Sequence, residues 1–168
     1  MYSLNAPVPP AVRALADDLA PALTAADDVR DEFTLVVKRL RADDRDGFRA
    51  VRERVRGTLA GAPAVAARVD EVGVFRDPPA GDAPVIYLAV ESPGLLALHR
   101  RLCDAVDPVP GIEGDAYAPH VTVARGGDPA VADRLAGRAV GPVEWTVDEL
   151  AYYDGRHGEQ VGTVSLPR

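Results

Sequence analysis

The segment PHVTVAR, residues 119–125, places a histidine and a threonine two positions apart in an apolar stretch. Side chains alternate across a strand, so His120 and Thr122 share one face while the valines share the other. An imidazole titrates near neutral pH and a hydroxyl donates hydrogen bonds, so the polar face suits proton transfer at a bound phosphate. A half-buried strand whose polar face includes a histidine explains the pattern equally well.

An earlier segment, EFTLVV at residues 32–37, repeats the alternation of HVTVAR at residues 120–125. A period of two divides it into a polar face with Glu32, Thr34, Val36 and Lys38 and a core face with Phe33, Leu35 and Val37. Two similar strands about half a chain apart predict two related lobes, each presenting a threonine to a shared cleft. Because threonine is common in strands, chance likeness is the alternative.

The elements that must position these residues follow from the rest of the chain. Alternating or apolar runs predict strands at 2–9, 32–40, 67–75, 83–92 and 120–125, and a closing hairpin at 143–166. Helical spacing, with proline or acidic starts, predicts helices at 9–24, 43–62, 92–106 and 128–140. Strand pairs mix with helices without strict βαβ alternation, which predicts an α+β fold with mostly antiparallel sheets. No linker-like segment divides the chain, so residues 1–168 are predicted to form one domain.

The composition limits the possible partners. The chain has 168 residues and a formal net charge of −7, with 18 arginines against one lysine. This Asp-rich, Lys-poor composition predicts a salt-adapted protein. An acidic surface repels nucleic acid, which argues against a broad nucleic-acid-binding face but leaves room for a cleft that takes an RNA end.

Targeting and covalent features are sparse. No apolar run approaches the roughly 20 residues of a membrane span, and the opening MYSLNAPVPP lacks the pattern of a signal peptide. Cys103 is the single cysteine, and the sequence holds no Cys/His cluster with zinc spacing. The sequence therefore predicts a cytoplasmic protein with no disulfide, no metal site and no membrane partner.

The motifs PHVTVAR and FTLVVKRL, with the chain length and the order of elements, resemble the two-histidine phosphoesterase superfamily. Within it, the chain is most similar to the 2′-5′ RNA ligase-like (RNA 2′,3′-cyclic phosphodiesterase) proteins. The resemblance implies a bilobal fold in which two pseudo-symmetric lobes, with helices flanking the sheets, each offer a His-x-Thr motif to a central cleft. It also implies a monomeric hydrolase that needs no metal or cofactor and acts on 2′,3′-cyclic phosphate RNA ends or small cyclic nucleotides.

The two motifs of this family map unequally onto the chain. The second motif maps onto His120 and Thr122, and Arg125 stands where relatives carry a basic residue. The histidine position of the first motif is Glu32, or Phe33 in the alternative register, and no histidine precedes His99. The chain is therefore expected to be a weakened phosphodiesterase or, alternatively, a catalytically degenerate protein that binds a nucleotide or phosphate in the same cleft.

Opening a cyclic phosphate with water takes two proton transfers, one from the water and one to the leaving ribose oxygen. His120 is predicted to supply one transfer, while the hydroxyls of Thr122 and Thr34 hold phosphate oxygens. Lys38 shares the predicted face of Thr34, so it is either a phosphate cation or a solvated strand end. Glu32 can act as a base only if burial raises its pKa.

Two tyrosines and two histidines are further candidates. Tyr153 either lines the cleft and stacks on a base or packs in the core, and Tyr152 takes the other position. His157, in the turn of the closing hairpin, is either solvent-exposed or replaces the missing histidine. His99 lies on an amphipathic helix and is predicted at the surface. A domain that acts only through protein contacts is the third functional alternative. The sequence does not distinguish a ligase from a phosphodiesterase.

Overall fold

The helices begin where the sequence supplies capping side chains or proline. The computed structural model describes residues 1–167, and within that range the α-helices are α1 Pro10–Leu19, α2 Arg45–Leu59, α3 Pro93–Ala105 and α4 Pro129–Leu135. Side-chain oxygens of Asp44, Ser92 and Asp128 accept backbone N–H groups in the first turns of α2, α3 and α4. Within residues 1–167, no helix is both long and apolar enough to cross a membrane.

The strands form two antiparallel sheets. Their bounds are β1 Tyr2–Ala6, β2 Asp28–Val29, β3 Leu35–Leu40, β4 Val65–Phe75, β5 Val85–Glu91, β6 His120–Arg125, β7 Ala139–Val147, β8 Glu149–Asp154 and β9 Glu159–Ser165. The first sheet has the order β3-β1-β8-β9 and the second the order β2-β6-β5-β4-β7. The predicted α+β class with antiparallel sheets is thereby confirmed.

The apolar core lies between the sheets and the helices that cover them. Fully buried side chains from both sheets and from α3, including Leu4, Leu35, Val69, Leu88 and Leu102, belong to one continuous cluster. Helix α3 contacts both β3 and β4, so it joins the two sheets on their core side. The opposite faces of the sheets remain available for a cleft.

The closing segment differs from the predicted hairpin. Strands β8 and β9 do pair with each other, whereas β7 pairs with β4 in the second sheet. The predicted segment 143–166 therefore contains the end of one strand of the second sheet followed by a hairpin of the first sheet.

A β-bulge interrupts each of the two motif strands. Between β1 and β3 the register passes from Leu4↔Lys38 to Asn5↔Val36, which leaves Val37 as the extra residue. Between β5 and β6 it passes from Ile86↔Ala124 to Tyr87↔Thr122, which leaves Val123 as the extra residue. Each bulge reverses the alternation for the residues that follow it.

This reversal corrects the predicted face of Lys38. Strict alternation puts Lys38 beside Val36, but the bulge turns the lysine into the core, where it is fully buried. The next residue, Arg39, takes the polar face instead. The bulge of β6 acts in the same way, since it buries Ala124 and returns Arg125 to the face of His120.

Candidate active site

His120 opens β6 with its ring held in one tautomer. Its Nδ1 lies 2.7 Å from the carbonyl oxygen of Ala118. Because a carbonyl oxygen only accepts, Nδ1 carries the proton, and Nε2 keeps its lone pair. The site therefore offers an imidazole nitrogen that is ready to take a proton.

Two aromatic side chains form a wall beside this imidazole. Phe75 meets the His120 ring edge-on at 5.1 Å, and Tyr87 meets it at 5.3 Å. Phe75 and Tyr87 stack on each other with centroids 4.2 Å apart. A glycine makes room for this wall, because a Cβ on Gly73 would lie 2.3 Å from the ring of Tyr87.

This environment favours the neutral imidazole. Burial lowers the pKa of His120 below its ordinary value, and the cationic Arg39 and Arg125 lower it further against the opposing hydrogen bond to Ala118. At neutral pH the ring is therefore uncharged. A neutral ring with a free Nε2 can act as a general base.

The hollow in front of His120 is lined by both sheets. It has a volume of about 320 Å³ and takes Val36 and Arg39 from β3, with Phe75, His120 and Arg125 from the second sheet. Asp77 also borders the hollow. Two guanidinium groups beside a neutral imidazole make a site that suits an anion such as a phosphate.

A buried ion pair holds the strand that carries Arg39. The ammonium of Lys38 lies 2.6 Å from Glu113, with side chains 0% and 1% exposed. The other carboxylate oxygen of Glu113 accepts the backbone N–H of Arg39 at 2.6 Å. Lys38 also donates to the carbonyls of Arg39 and Asp107. Lys38 therefore stabilises the bulge from the core side and does not face the hollow as the predicted phosphate cation.

A second set of contacts fixes the bulge of β3 from helix α3 and from the segment before β6. The hydroxyl of Tyr117 donates to the carbonyl of Val36 at 2.9 Å, and His99 Nδ1 donates to that of Val37 at 2.7 Å. His99 Nε2 accepts the N–H of Gly114 at 2.9 Å, and its ring stacks on Tyr117. The prediction that His99 lies at the surface is wrong, since the residue is 1% exposed. Burial lowers the pKa of His99, so this ring is also neutral.

The structure separates the two predicted threonines. Thr122 pairs with Tyr87 and shares the strand face of His120. Thr34 precedes β3 and lines a second hollow together with Glu32 and Tyr153. The two hollows are lined from neighbouring strands, because Val36 in the first pairs with Asn5 in the second.

Two other candidates of the sequence lie away from His120. His157 contacts Asp154 at 2.7 Å and lines an outer hollow beside the start of α2. Tyr152 is 1% exposed and belongs to the core, so Tyr153 is the tyrosine on the polar face. The structure therefore does not place His157 opposite His120.

Sequence reasoning missed three residues that border the imidazole, namely Arg39, Phe75 and Tyr87. Phe75 and Tyr87 lie on strands that were predicted, but which of their faces meets β6 depends on the sheet order. Strict alternation assigns Arg39 to the core face, and only the bulge at Val37 turns it to the polar face. The one available signal was the arginine that ends both KR at 38–39 and AR at 124–125.

Comparison with known proteins places this geometry in a family. A model of the 2′-5′ RNA ligase superfamily matches residues 33–159. The chain belongs to this superfamily. The resemblance to two-histidine phosphoesterases is thereby confirmed, and membership in the family supports phosphodiesterase-type chemistry.

Solved structures share the fold across the whole chain. TT0787 of Thermus thermophilus is 21% identical with a TM-score of 0.71. The match covers 98% of this chain and 97% of that chain. LigT of E. coli, complexed with 3′-AMP, is 16% identical with a TM-score of 0.72, at 99% and 98% coverage. Usb1 of Kluyveromyces marxianus is 10% identical with a TM-score of 0.60, at 99% and 97% coverage. No curated protein matches the chain in sequence.

Proposed function

We propose that this member of the 2′-5′ RNA ligase superfamily hydrolyses 2′,3′-cyclic phosphates at RNA ends or in small cyclic nucleotides. The observation that supports this most strongly is the neutral His120 ring, whose free Nε2 shares a hollow with Arg39 and Arg125. The proposal assigns the ring a proton-transfer role and the guanidinium groups a phosphate-binding role.

In the proposed reaction a water oxygen attacks the phosphorus atom and gives its proton to Nε2 of His120. The bond from phosphorus to one ribose oxygen breaks, and a phosphomonoester remains on the other. Arg39 and Arg125 hold the non-bridging oxygens, where negative charge accumulates. Thr122, on the same strand face, is proposed as a further hydrogen-bond donor, and Thr34 as a donor from the second hollow.

The departing ribose oxygen has no second imidazole to protonate it. Among the described residues that line the hollow, His120 is the only histidine. The hydroxyl of Tyr117 is bound to Val36, and burial raises its pKa, so it is a poor acid. The oxygen therefore takes its proton from solvent, and turnover falls by the factor of about 10²–10⁴ that one positioned acid contributes.

A second candidate function is binding of a nucleotide or phosphate without turnover. The side chains across from His120 favour it, because Val36 is apolar and the guanidinium of Arg39 suits phosphate binding and not proton transfer. The two candidates use the same hollow and differ only in the chemical step.

Hydrolysis of 2′,3′-cyclic AMP by wild type and His120→Ala tests the proposal, with 3′-AMP titrated calorimetrically into both proteins. We expect slow wild-type turnover that the substitution lowers by about 10²-fold or more, while 3′-AMP still binds. Binding without any turnover would favour the second candidate. Wild-type turnover that His120→Ala leaves unchanged would sink the proposed role of the ring.

A further inference from the structure

We infer that the second hollow, defined here as the base hollow, is a nucleobase subsite that prefers guanine. The inference rests on the proposed function, since it places the base of the substrate whose phosphate lies at His120. The base hollow has a volume of about 360 Å³, within the range of small-molecule sites. The residues that carry the argument are Asn5, Glu32 and Tyr153.

The base hollow lies one strand away from the proposed phosphate site. Asn5 pairs with Val36, which lines the hollow of His120. Tyr153 pairs with Ser3, which in turn pairs with Arg39. Paired residues on neighbouring strands have Cα atoms about 5 Å apart. A nucleotide with its phosphate at Arg39 therefore has its base within reach of Asn5 and Tyr153.

Tyr153 supplies a fixed aromatic face for the base. Its ring is half-buried, and its hydroxyl donates to the carbonyl of Gly158 at 2.8 Å. A ring held at both ends keeps one orientation, which suits stacking on a planar base. Apolar Val8 and Phe33 and the cationic Arg13 also line the hollow.

Asn5 has a side-chain oxygen without a hydrogen-bond partner. The residue is 8% exposed, and its Oδ1 is buried without a hydrogen bond among the described residues. Its neighbours Leu4 and Ala6 face the core, so the Asn5 side chain lies on the opposite face, where it lines the base hollow. Buried polar atoms are nearly always hydrogen-bonded in folded proteins, so the Oδ1 atom of Asn5 is an unused acceptor at the wall of the hollow.

Glu32 determines which base fits. Its carboxylate only accepts hydrogen bonds, and two oxygens can take two adjacent donors. Guanine offers N1–H and the N2 amino group side by side, whereas adenine presents an acceptor at N1. A carboxylate therefore attracts the guanine edge and repels that of adenine. Glu32, two positions before Thr34, thereby gains a role in substrate choice.

Base preference is measured in two ways, as kcat/KM for 2′,3′-cyclic GMP against 2′,3′-cyclic AMP and as Kd for 3′-GMP against 3′-AMP. We expect wild type to prefer guanine by about tenfold or more in both, the usual range for a two-bond base contact. Glu32→Gln should bring the two nucleotides to near equality, because an amide loses one acceptor. The control Asp104→Asn removes the same charge from an exposed position on α3 and should keep the preference.

The outcomes separate this inference from the proposed function. Equal treatment of guanine and adenine by a protein that hydrolyses both would overturn the guanine subsite and leave the hydrolase standing. Guanine-selective binding without turnover would support the subsite and count against the hydrolase. A preference that survives Glu32→Gln, or no nucleotide binding at all, would also overturn the subsite.

Discussion

At the scale of single residues, the chemistry depends on how one imidazole is surrounded. A carbonyl fixes its tautomer, two aromatic rings pack against it, and burial, together with two arginines, keeps it neutral. None of these neighbours adjoins His120 in the chain except Ala118. The properties of the histidine therefore come from the fold, and substitutions beside it should alter the rate without touching the ring.

Gly73→Ala tests the aromatic wall. The added Cβ would lie 2.3 Å from the Tyr87 ring, so the ring must move, and His120 loses its fixed neighbour. We expect kcat to fall by up to about 10²-fold, the cost of displacing a reacting group by about 1 Å. The control is Gly57→Ala on α2, where a Cβ meets nothing within 4 Å. If steady-state kinetics show no difference between the two variants, the wall does not position the imidazole.

At the scale of elements, the bulge of β3 decides which cation reaches the hollow. Hydrogen bonds hold the bulge from the core side. The side chains of Lys38, His99 and Tyr117 donate them, and that of Glu113 accepts them. These contacts bring the segment 109–117 and helix α3 onto β3. The orientation of Arg39 is thus set largely from the core side of its strand.

Glu113→Ala should destabilise the fold by about 3–5 kcal/mol, because it leaves the charge of Lys38 buried without a partner. The matched control is Glu53→Ala, which breaks an exposed pair with Arg56 and should cost no more than about 1 kcal/mol. A double variant with Lys38→Met and Glu113→Gln should recover part of the loss, because no buried charge remains and the amide oxygen can still accept the N–H of Arg39. Free energies of unfolding from urea titration provide the comparison, and equal losses in the two single variants would contradict the account.

The strands and helices differ in how far the sequence predicts them. The apolar faces of residues 32–40 and 120–125 and the helix starts at Ser92 and Asp128 follow from local pattern, and the structure has them. The bulges at Val37 and Val123 do not follow, since a single extra residue leaves no mark in alternation until the partner strand is known. Arg39 was missed and Lys38 was misplaced for that one reason.

At the scale of the molecule, two sheets each contribute part of one cleft. The first sheet supplies Val36 and Arg39, and the second supplies His120 and Arg125. The cations stand where the sheets meet, although the whole chain carries a net charge of −7. A local anion site inside an acidic protein is consistent with a small charged substrate and not with a long nucleic acid held along the surface.

The pH dependence of kcat/KM for cyclic nucleotide hydrolysis tests the central claim, that one neutral imidazole acts as the base. Because the pKa of His120 is lowered, activity should be complete above the ordinary histidine value of about 6.5 and should fall with acid through the lower pKa of the folded protein. No descending limb should follow between about pH 7 and 8, since a second imidazole is needed to produce one. A bell-shaped profile centred near neutrality, or a rising limb that persists in His120→Ala, would contradict the account.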